Sequence, residues 1–470
     1  MMSESLLVGF ARADISPTLC SVPLGGFSAT EFRLSGLIGD PLYVNAVALR
    51  SGEETLVYLS TDLLGVRKDL VAEVREAIAE KTGLPKDRIF ICASHTHSGP
   101  DPRSELPAAI KYRREQLMPT LADAAYRALT DLQPAKLSYG SIAVGNTACR
   151  MNFVRHYYVV EKEKKDTYTK EDLQFAGFAH PKLKEKGKYC YVGHTADPDP
   201  RLHIMRFSRD GADDVMLVNF TAHATFVGTN KSPLVSSDWP GALVQRMEEA
   251  FPGTKCAFLQ GCAGNVVPGT RIESEGIPGL TIAPMRDHHA YASVLAGYAC
   301  RLLQKEGLKD SESTTISVRQ KKMSCICDHS RDHLLPKAQE ALAVFKKEGH
   351  TPAAQEHCYS FGFPSIYTCI GIEKHAGLPE SEELELNAIR IGDCAIATFP
   401  CEAFSSSGER VKAASPFAMT IANAYSCGYH SYMPTIDAPE DCYENLQMLY
   451  KPGTAEAIEA ELSEMLDQIY

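Results

Sequence analysis

The sequence predicts an α/β fold in one large domain, and three observations carry that expectation. Strand-length apolar runs alternate with amphipathic helical spacing: Thr55-Leu56-Val57-Tyr58-Leu59-Ser60, then Leu70, Val74 and Ile78 at i, i+4 and i+8, then Arg88-Ile89-Phe90-Ile91-Cys92-Ala93. Strand, helix and strand in so few residues make a βαβ unit. The 470 residues contain no internal repeat and no low-complexity linker that would force a split, and their length suits one large domain, 1–470, with insertions. Polar, chemistry-bearing residues follow directly on the apolar runs, where open α/β sheets place their ligand crevices.

Taken in order, residues 8–50 read as strands and turns. Their Gly25-Gly26 pair marks a tight bend or a close backbone approach, with the bend favoured. The helix through Leu70 stops at Gly83. Residues 105–131 carry a second amphipathic helix, and 136–144 return to strand. From 146 to about 200 the character changes. Charged runs at 161–166 and 182–188, with tyrosines among them, predict a surface insertion over 155–200 without a core of its own, serving as a lid or as a solvated excursion. Residues 201–220 form a hairpin turning at Asp210-Gly211. Asp238 stands where it caps a helix over 240–250, and a strand at 256–259 runs into a glycine-rich turn, 260–269, whose amides suit an oxyanion. Helices are expected over 284–306 and 335–347, a hairpin around Gly392-Asp393, a strand at 417–422 and a closing amphipathic helix at 454–469.

Composition narrows the function. Hydrophobic content of 44% and charged content of 23% are those of a globular protein. A net charge of -11 disfavours nucleic acid or an anionic bilayer as partner. No apolar stretch reaches the ~20 residues of a membrane helix, and the N-terminus lacks the basic and apolar regions of a secretory signal. The expected setting is therefore the cytoplasm. Fifteen cysteines without a C-x-x-C pair fit small core residues in a reducing compartment, and the Cys/His-bearing region 325–375 matches no zinc-ribbon spacing.

The stretch with the most chemical content is Ser94-His95-Thr96-His97-Ser98-Gly99-Pro100. Strand alternation predicts that His95 and His97 point the same way past the strand end, one at a metal and the other beside it. His223, Glu402 and the tyrosines between Tyr425 and Tyr432 each sit just past another apolar run. Two imidazoles, a carboxylate and a phenol form a ligand set suited to Zn²⁺ with room for water. Asp14, Asp62 and Asp238 are carboxylates for a second metal or, as the preferred reading, cap and turn residues.

These stretches, in colinear order over nearly the whole chain, resemble the N-terminal catalytic domain of the neutral/alkaline non-lysosomal ceramidases. Asp14-Ile15-Ser16-Pro17 looks like that family's D-I-T-P, and the histidine stretch like its T-H-T-H-S-G-P. The segment at 219–223 is similar to its second histidine segment, Ser236-Ser237-Asp238 to its S-S-D, and Pro400-Cys401-Glu402 to its P-x-E. Tyr443-Glu444 is similar to its Y-E pair. The resemblance implies a layered αββα-type sandwich of mixed sheets flanked by helices, and one zinc held by His95, His223, Glu402 and Tyr432, with Tyr429 as the alternative register. It further implies His97 as the histidine beside the metal or in contact with substrate and Arg150 as the arginine contacting substrate; the expected mechanism adds His97 or Asp238 as the proton relay, and Tyr432 or Tyr443 with the Gly264 turn amides, Asn265 in the same turn, around the developing oxyanion.

One departure bears on mechanism. Where the family has Gly-Asp-Val-Ser-Pro, this chain has Gly264-Asn265-Val266-Val267-Pro268, so a valine replaces the family serine. Cys262 in the same turn reads as a buried small residue rather than a substitute nucleophile. A short form without the family's immunoglobulin-like domain is also expected. The expected activity is a zinc-dependent hydrolase cleaving a linear N-acyl amide with metal-activated water, on a soluble small molecule rather than ceramide. The alternatives are a true ceramidase or N-acyl lipid amidase, and a catalytically silent metal- or ligand-binding homologue.

Overall fold

The computed structural model describes residues 5–27, 33–145, 151–177, 187–228, 232–268, 287–349 and 351–470. Its main sheet runs, edge to edge, through Thr254–Gln260, Asp214–Phe220, Arg201–Arg209, Gln133–Ala143, Leu7–Asp14, Tyr43–Ser51, Glu54–Thr61 and Ile89–Ala93. The pair at each end of this path is parallel and the interior pairings are antiparallel. A second sheet orders Ile316–Ile326, Ser381–Ile391, Cys394–Thr398 and Met419–Asn423, the last pair parallel.

Side-chain alternation explains how these sheets stack. Leu56 and Tyr58, Met205 and Phe207, and Val215 and Leu217 meet Ile389, Ile391 and Ile396 of the second sheet in one buried cluster. The intervening residues face helices: Val57 and Leu59 pack with Leu70, Val74 and Ile78, and Met216 and Val218 with Trp239, Leu243 and Leu295. On the far side, Leu384 and Leu386 of the second sheet share a cluster with Ile458, Leu462 and Met465 of the closing helix, Thr454–Ile469. The layers are helix, sheet, sheet, helix, the αββα sandwich expected. The first helix, Lys68–Thr82, ends at Gly83, whose φ of +73° lets its amide close on Ala79 O. The hairpin at Asp210-Gly211 and the one around Gly392-Asp393 are present with continuous registers.

The insertion differs from its expectation. Strand His156–Glu161 pairs with Tyr189–His194 on one side and Gln174–Gly177 on the other. Tyr157, Val159 and Ala176 then bury themselves against Phe153 and Val267. Charged residues dominate this stretch, but strand alternation puts its few apolar side chains on one face, and that suffices for a small core. None of the helices among the described residues is long and apolar enough to cross a membrane.

Candidate metal centre and cavity

Strand Ile89–Ala93, buried throughout, ends where Ser94 N donates to Thr61 O at 2.8 Å. His95 then takes a φ of +62°, in the left-handed region that non-glycine residues rarely adopt. The two histidines are thus brought together by a turn rather than by strand alternation. His97 N donates to Ala224 O at 3.1 Å, which ties this turn to the one carrying His223. Glu402 begins a two-residue strand paired in parallel with Tyr432-Met433, so Glu402 and Tyr432 are register partners. Tyr425 and Ser431 also have positive φ. Backbone strain therefore gathers around one point.

At that point, ring nitrogens and a carboxylate converge. His95 Nδ1 lies 2.7 Å from Leu64 O, and His223 Nδ1 lies 3.0 Å from Val266 O. A carbonyl only accepts, so both Nδ1 atoms carry a proton, and in the neutral form that a metal binds both Nε2 atoms present lone pairs. Those lone pairs each face Glu402 Oε2 at 3.3 Å. His97 Nε2 lies 3.2 Å from His95 Nε2, and the three imidazoles offer ligand atoms all within 4.8 Å of one another. Glu402 Oε2 and His223 Nε2 are buried with no hydrogen-bond partner.

Burial drives His223 below the ordinary imidazole range, toward the neutral form a metal requires, although Glu402 pulls the other way. For Glu402 burial alone would raise the carboxyl, but His95 and His223 in their protonated forms outweigh it and hold it well below the carboxylate range, the part a bound cation takes when both imidazoles are neutral. Electron pairs facing one another in a buried site call for a cation. The donor set, nitrogens and a carboxylate oxygen with backbone-anchored imidazoles, fits a divalent one.

The tyrosines divide by geometry. Tyr429 Oη donates to Glu402 Oε1 at 2.7 Å and so orients the carboxylate. Tyr432 lies nearly parallel to the His223 ring, 6.5 Å between centroids. Tyr425, which the sequence reading placed only within a cluster, stacks on His95 at 3.9 Å.

The centre opens into a cavity of about 500 Å³ whose lining includes His97, His223, Glu402, Tyr432, Tyr443 and Val267. Gly26 lines it too. Its φ is +71° and an added Cβ would stand 2.5 Å from the His97 ring, so the glycine pair is both a bend and part of the wall. Val267 reaches the lining from the ladder joining Val266–Pro268 to Asn152–Val154, so the small core of the insertion abuts the site.

Other expected site residues stand apart from the cavity. Gly264 N donates to Ala403 O at 2.8 Å and is thereby spent, so it offers no hydrogen bond to an oxyanion. Its lack of a side chain has another use: a Cβ would come within 2.2 Å of Glu402 O. Asn265 Oδ1 accepts from Ser405 N at 3.0 Å, at the start of helix Ser405–Ala414. Asp238, fully buried, accepts from Val227 N and Trp239 N, both at 2.7 Å. It is the first residue of helix Asp238–Ala250 and serves the backbone rather than a proton relay. Asp14 and Asp62 likewise accept from the amides of Ser16 and Tyr43. Cys262 is buried and its thiol is pushed up to about 12 by that burial, far from a nucleophile's range. Arg150 lies outside the described residues. Arg155 was missed: it lines the cavity with its guanidinium 5.4 Å from the Tyr443 ring centroid and 3.4 Å from Glu444. Its signal in the sequence is an arginine five residues beyond Arg150 in the same apolar stretch.

Burial raises Asp62 and Asp238 alike, each to about 6. A folded-state value above the unfolded ~3.9 lends stability that is fully present below ~3.9 and lost as pH rises through about 6. Asp62→Asn and Asp238→Asn should each flatten the fall in stability over that window, by on the order of 2–3 kcal/mol. Urea unfolding at pH 4.5 and 7 measures this, and variants with an undiminished pH slope would contradict it.

The comparisons bear on this geometry. No family model matches the chain. Over 280 residues, 56% of the chain, it is 23% identical to the neutral ceramidase of Pseudomonas aeruginosa, and the match spans 37% of that relative's length. The crystal structure of neutral ceramidase from Pseudomonas aeruginosa superposes with a TM-score of 0.66 at 19% identity, covering 98% of this chain and 74% of that one. The chain has the neutral ceramidase fold. A solved ceramidase complexed with C2 gives the same TM-score at 18% identity, covering 98% and 75%. The resemblance read from ordered motifs thus extends to the whole layered architecture of this ceramidase-like chain.

Proposed function

We propose that this ceramidase-like protein is a zinc-dependent hydrolase of linear N-acyl amides, with one zinc per chain and a soluble small molecule as substrate. One observation carries the reading: His95 Nε2, His223 Nε2 and Glu402 Oε2 turn lone pairs on one another at the wall of a cavity. When bound, zinc supplies Lewis acidity, which polarises a carbonyl and brings water into an ionisable range near neutral pH. His95, His223, Glu402 and Tyr432 would hold it. His97, on the cavity lining, takes up the proton that water gives and returns it to the departing amine. Arg155 and Tyr443, stacked on the wall, hold the carbonyl end of the substrate and donate to the negative charge that develops on its oxygen. Val267 has no hydroxyl, so no acyl-enzyme forms at that position. A reducing, cytoplasmic setting is part of this proposal.

The names of the relatives favour a second reading, a lipid amide as substrate. A panel of N-acyl amino acids, N-acylethanolamines and a short-chain ceramide separates the two. Turnover of the soluble amides, lost on chelation and restored by zinc, is the expected result. Preference for the ceramide would move the substrate to the second reading, and stoichiometric zinc with no turnover on any member would leave a binding protein.

A further inference from the structure

The cavity lining holds two cations, Lys374 and Arg103, that amide hydrolysis does not use. Two carboxylates line it, Glu382 and Glu402, and of its five cationic side chains Arg67, Lys68, Arg103 and Arg155 pair with Asp69, Glu382, Asp101 and Glu444, which leaves Lys374. Both acids are engaged: Glu402 by the histidines, and Glu382 by Lys68 at 3.0 Å and Tyr450 at 2.9 Å. Lys374, on helix Ile366–His375, donates to Gln447 Oε1 at 3.1 Å, and the carboxylate whose charge reaches it is that of Glu402, already engaged by the histidines. Arg103 forks onto Asp101 through Nε and Nη2, at 2.6 and 2.7 Å, leaving Nη1 with no acceptor among the described residues.

These two cations sit close to the reacting centre. The Arg103 guanidinium lies 5.4 Å from the centroid of Tyr429, whose hydroxyl reaches Glu402. Lys374 keeps exposed surface at the cavity lining while protein packs around its ammonium. Its ammonium is accordingly held below the ordinary lysine range, first by that surrounding protein and then by Arg103. An anion seated between them would relieve both effects.

We propose that Lys374 and Arg103 form an anion subsite beside the metal centre, and that the compound bound there carries a carboxylate or a phosphate on the far side of its amide. This rests on the hydrolase reading for the word amide, but not for the anion. The subsite takes the charged group through two ammonium protons and one guanidinium edge, which fixes the distance between that group and the centre.

The test uses sulfonamide probes, which resist hydrolysis, so binding is read without turnover. N-(hexylsulfonyl)glycine carries a carboxylate, N-(hexylsulfonyl)ethanolamine is its neutral counterpart, and the O-phosphate of the latter carries a phosphate. Calorimetry on the zinc-loaded protein should give at least one anionic probe about tenfold tighter binding than the neutral one. The tighter of the two anions identifies the group. Lys374→Met, which keeps the aliphatic stem, should abolish the preference, and Lys374→Arg should retain it. Equal binding of all three probes, or a preference that survives Lys374→Met, overturns the subsite. Failure of the protein to cleave any amide would leave this binding result standing.

Discussion

His223→Ala protein should carry almost no zinc and hydrolyse N-acyl amides on the order of 10³-fold more slowly, because a Lewis acid supplies several kcal/mol at ~1.4 kcal/mol per tenfold. The imidazole does more than contribute a nitrogen. Its Nδ1 proton is fixed on Val266 O and its Nε2 faces Glu402 Oε2 at 3.3 Å, so its removal leaves a buried carboxylate short of one compensating neighbour. Tyr429→Phe offers a graded comparison. It deletes the 2.7 Å hydrogen bond to Glu402 Oε1 while leaving the proposed ligand atoms in place, and loss of such an orienting bond costs about 10- to 100-fold in metal affinity. Metal content by mass spectrometry, alongside rates at saturating zinc, should rank wild type above Tyr429→Phe above His223→Ala. Full zinc occupancy in His223→Ala would remove that residue from the ligand set.

The parts of this centre that were legible in the sequence are those that local chemistry dictates. Apolar runs ending at His95, His223 and Glu402 announce strands whose exits carry polar groups, and the structure does gather these three, with His95 and His223 rings 4.8 Å apart. Other parts depend on backbone geometry that no periodicity encodes. His95 in the left-handed region belongs to this class, and so does the amide of Gly264, which sits in a glycine-rich turn but is already taken by Ala403 O. Charge runs concealed the small core around Tyr157, because composition averages over a stretch whereas strand alternation sorts its residues by face. Arg155 was hidden for a related reason: only the ladder between Asn152–Val154 and Val266–Pro268 shows that this segment borders the cavity.

Trp239→Ala should cost about 3–5 kcal/mol of stability, the range for emptying a large aromatic site. The only tryptophan in the chain is fully buried, with ring centroids 5.0 Å from Phe258, 5.5 Å from Tyr291 and 6.0 Å from Phe220, each contact close to edge-on. It therefore joins helix Asp238–Ala250 to the main sheet and to helix His288–Arg301. Its indole also reaches the metal centre: Nε1 donates to His223 O at 3.1 Å. Trp239→Phe separates the two roles, since a phenyl ring keeps much of the packing but leaves that buried carbonyl without its donor, at about 1 kcal/mol. The backbone carrying His223 then loosens, and zinc affinity should fall by about tenfold. Urea midpoints measure the first effect and zinc competition against a chromogenic chelator the second. An unchanged zinc affinity in Trp239→Phe, with a lowered midpoint in Trp239→Ala, would confine the tryptophan to packing and place the rigidity of His223 in its bond to Val266 alone.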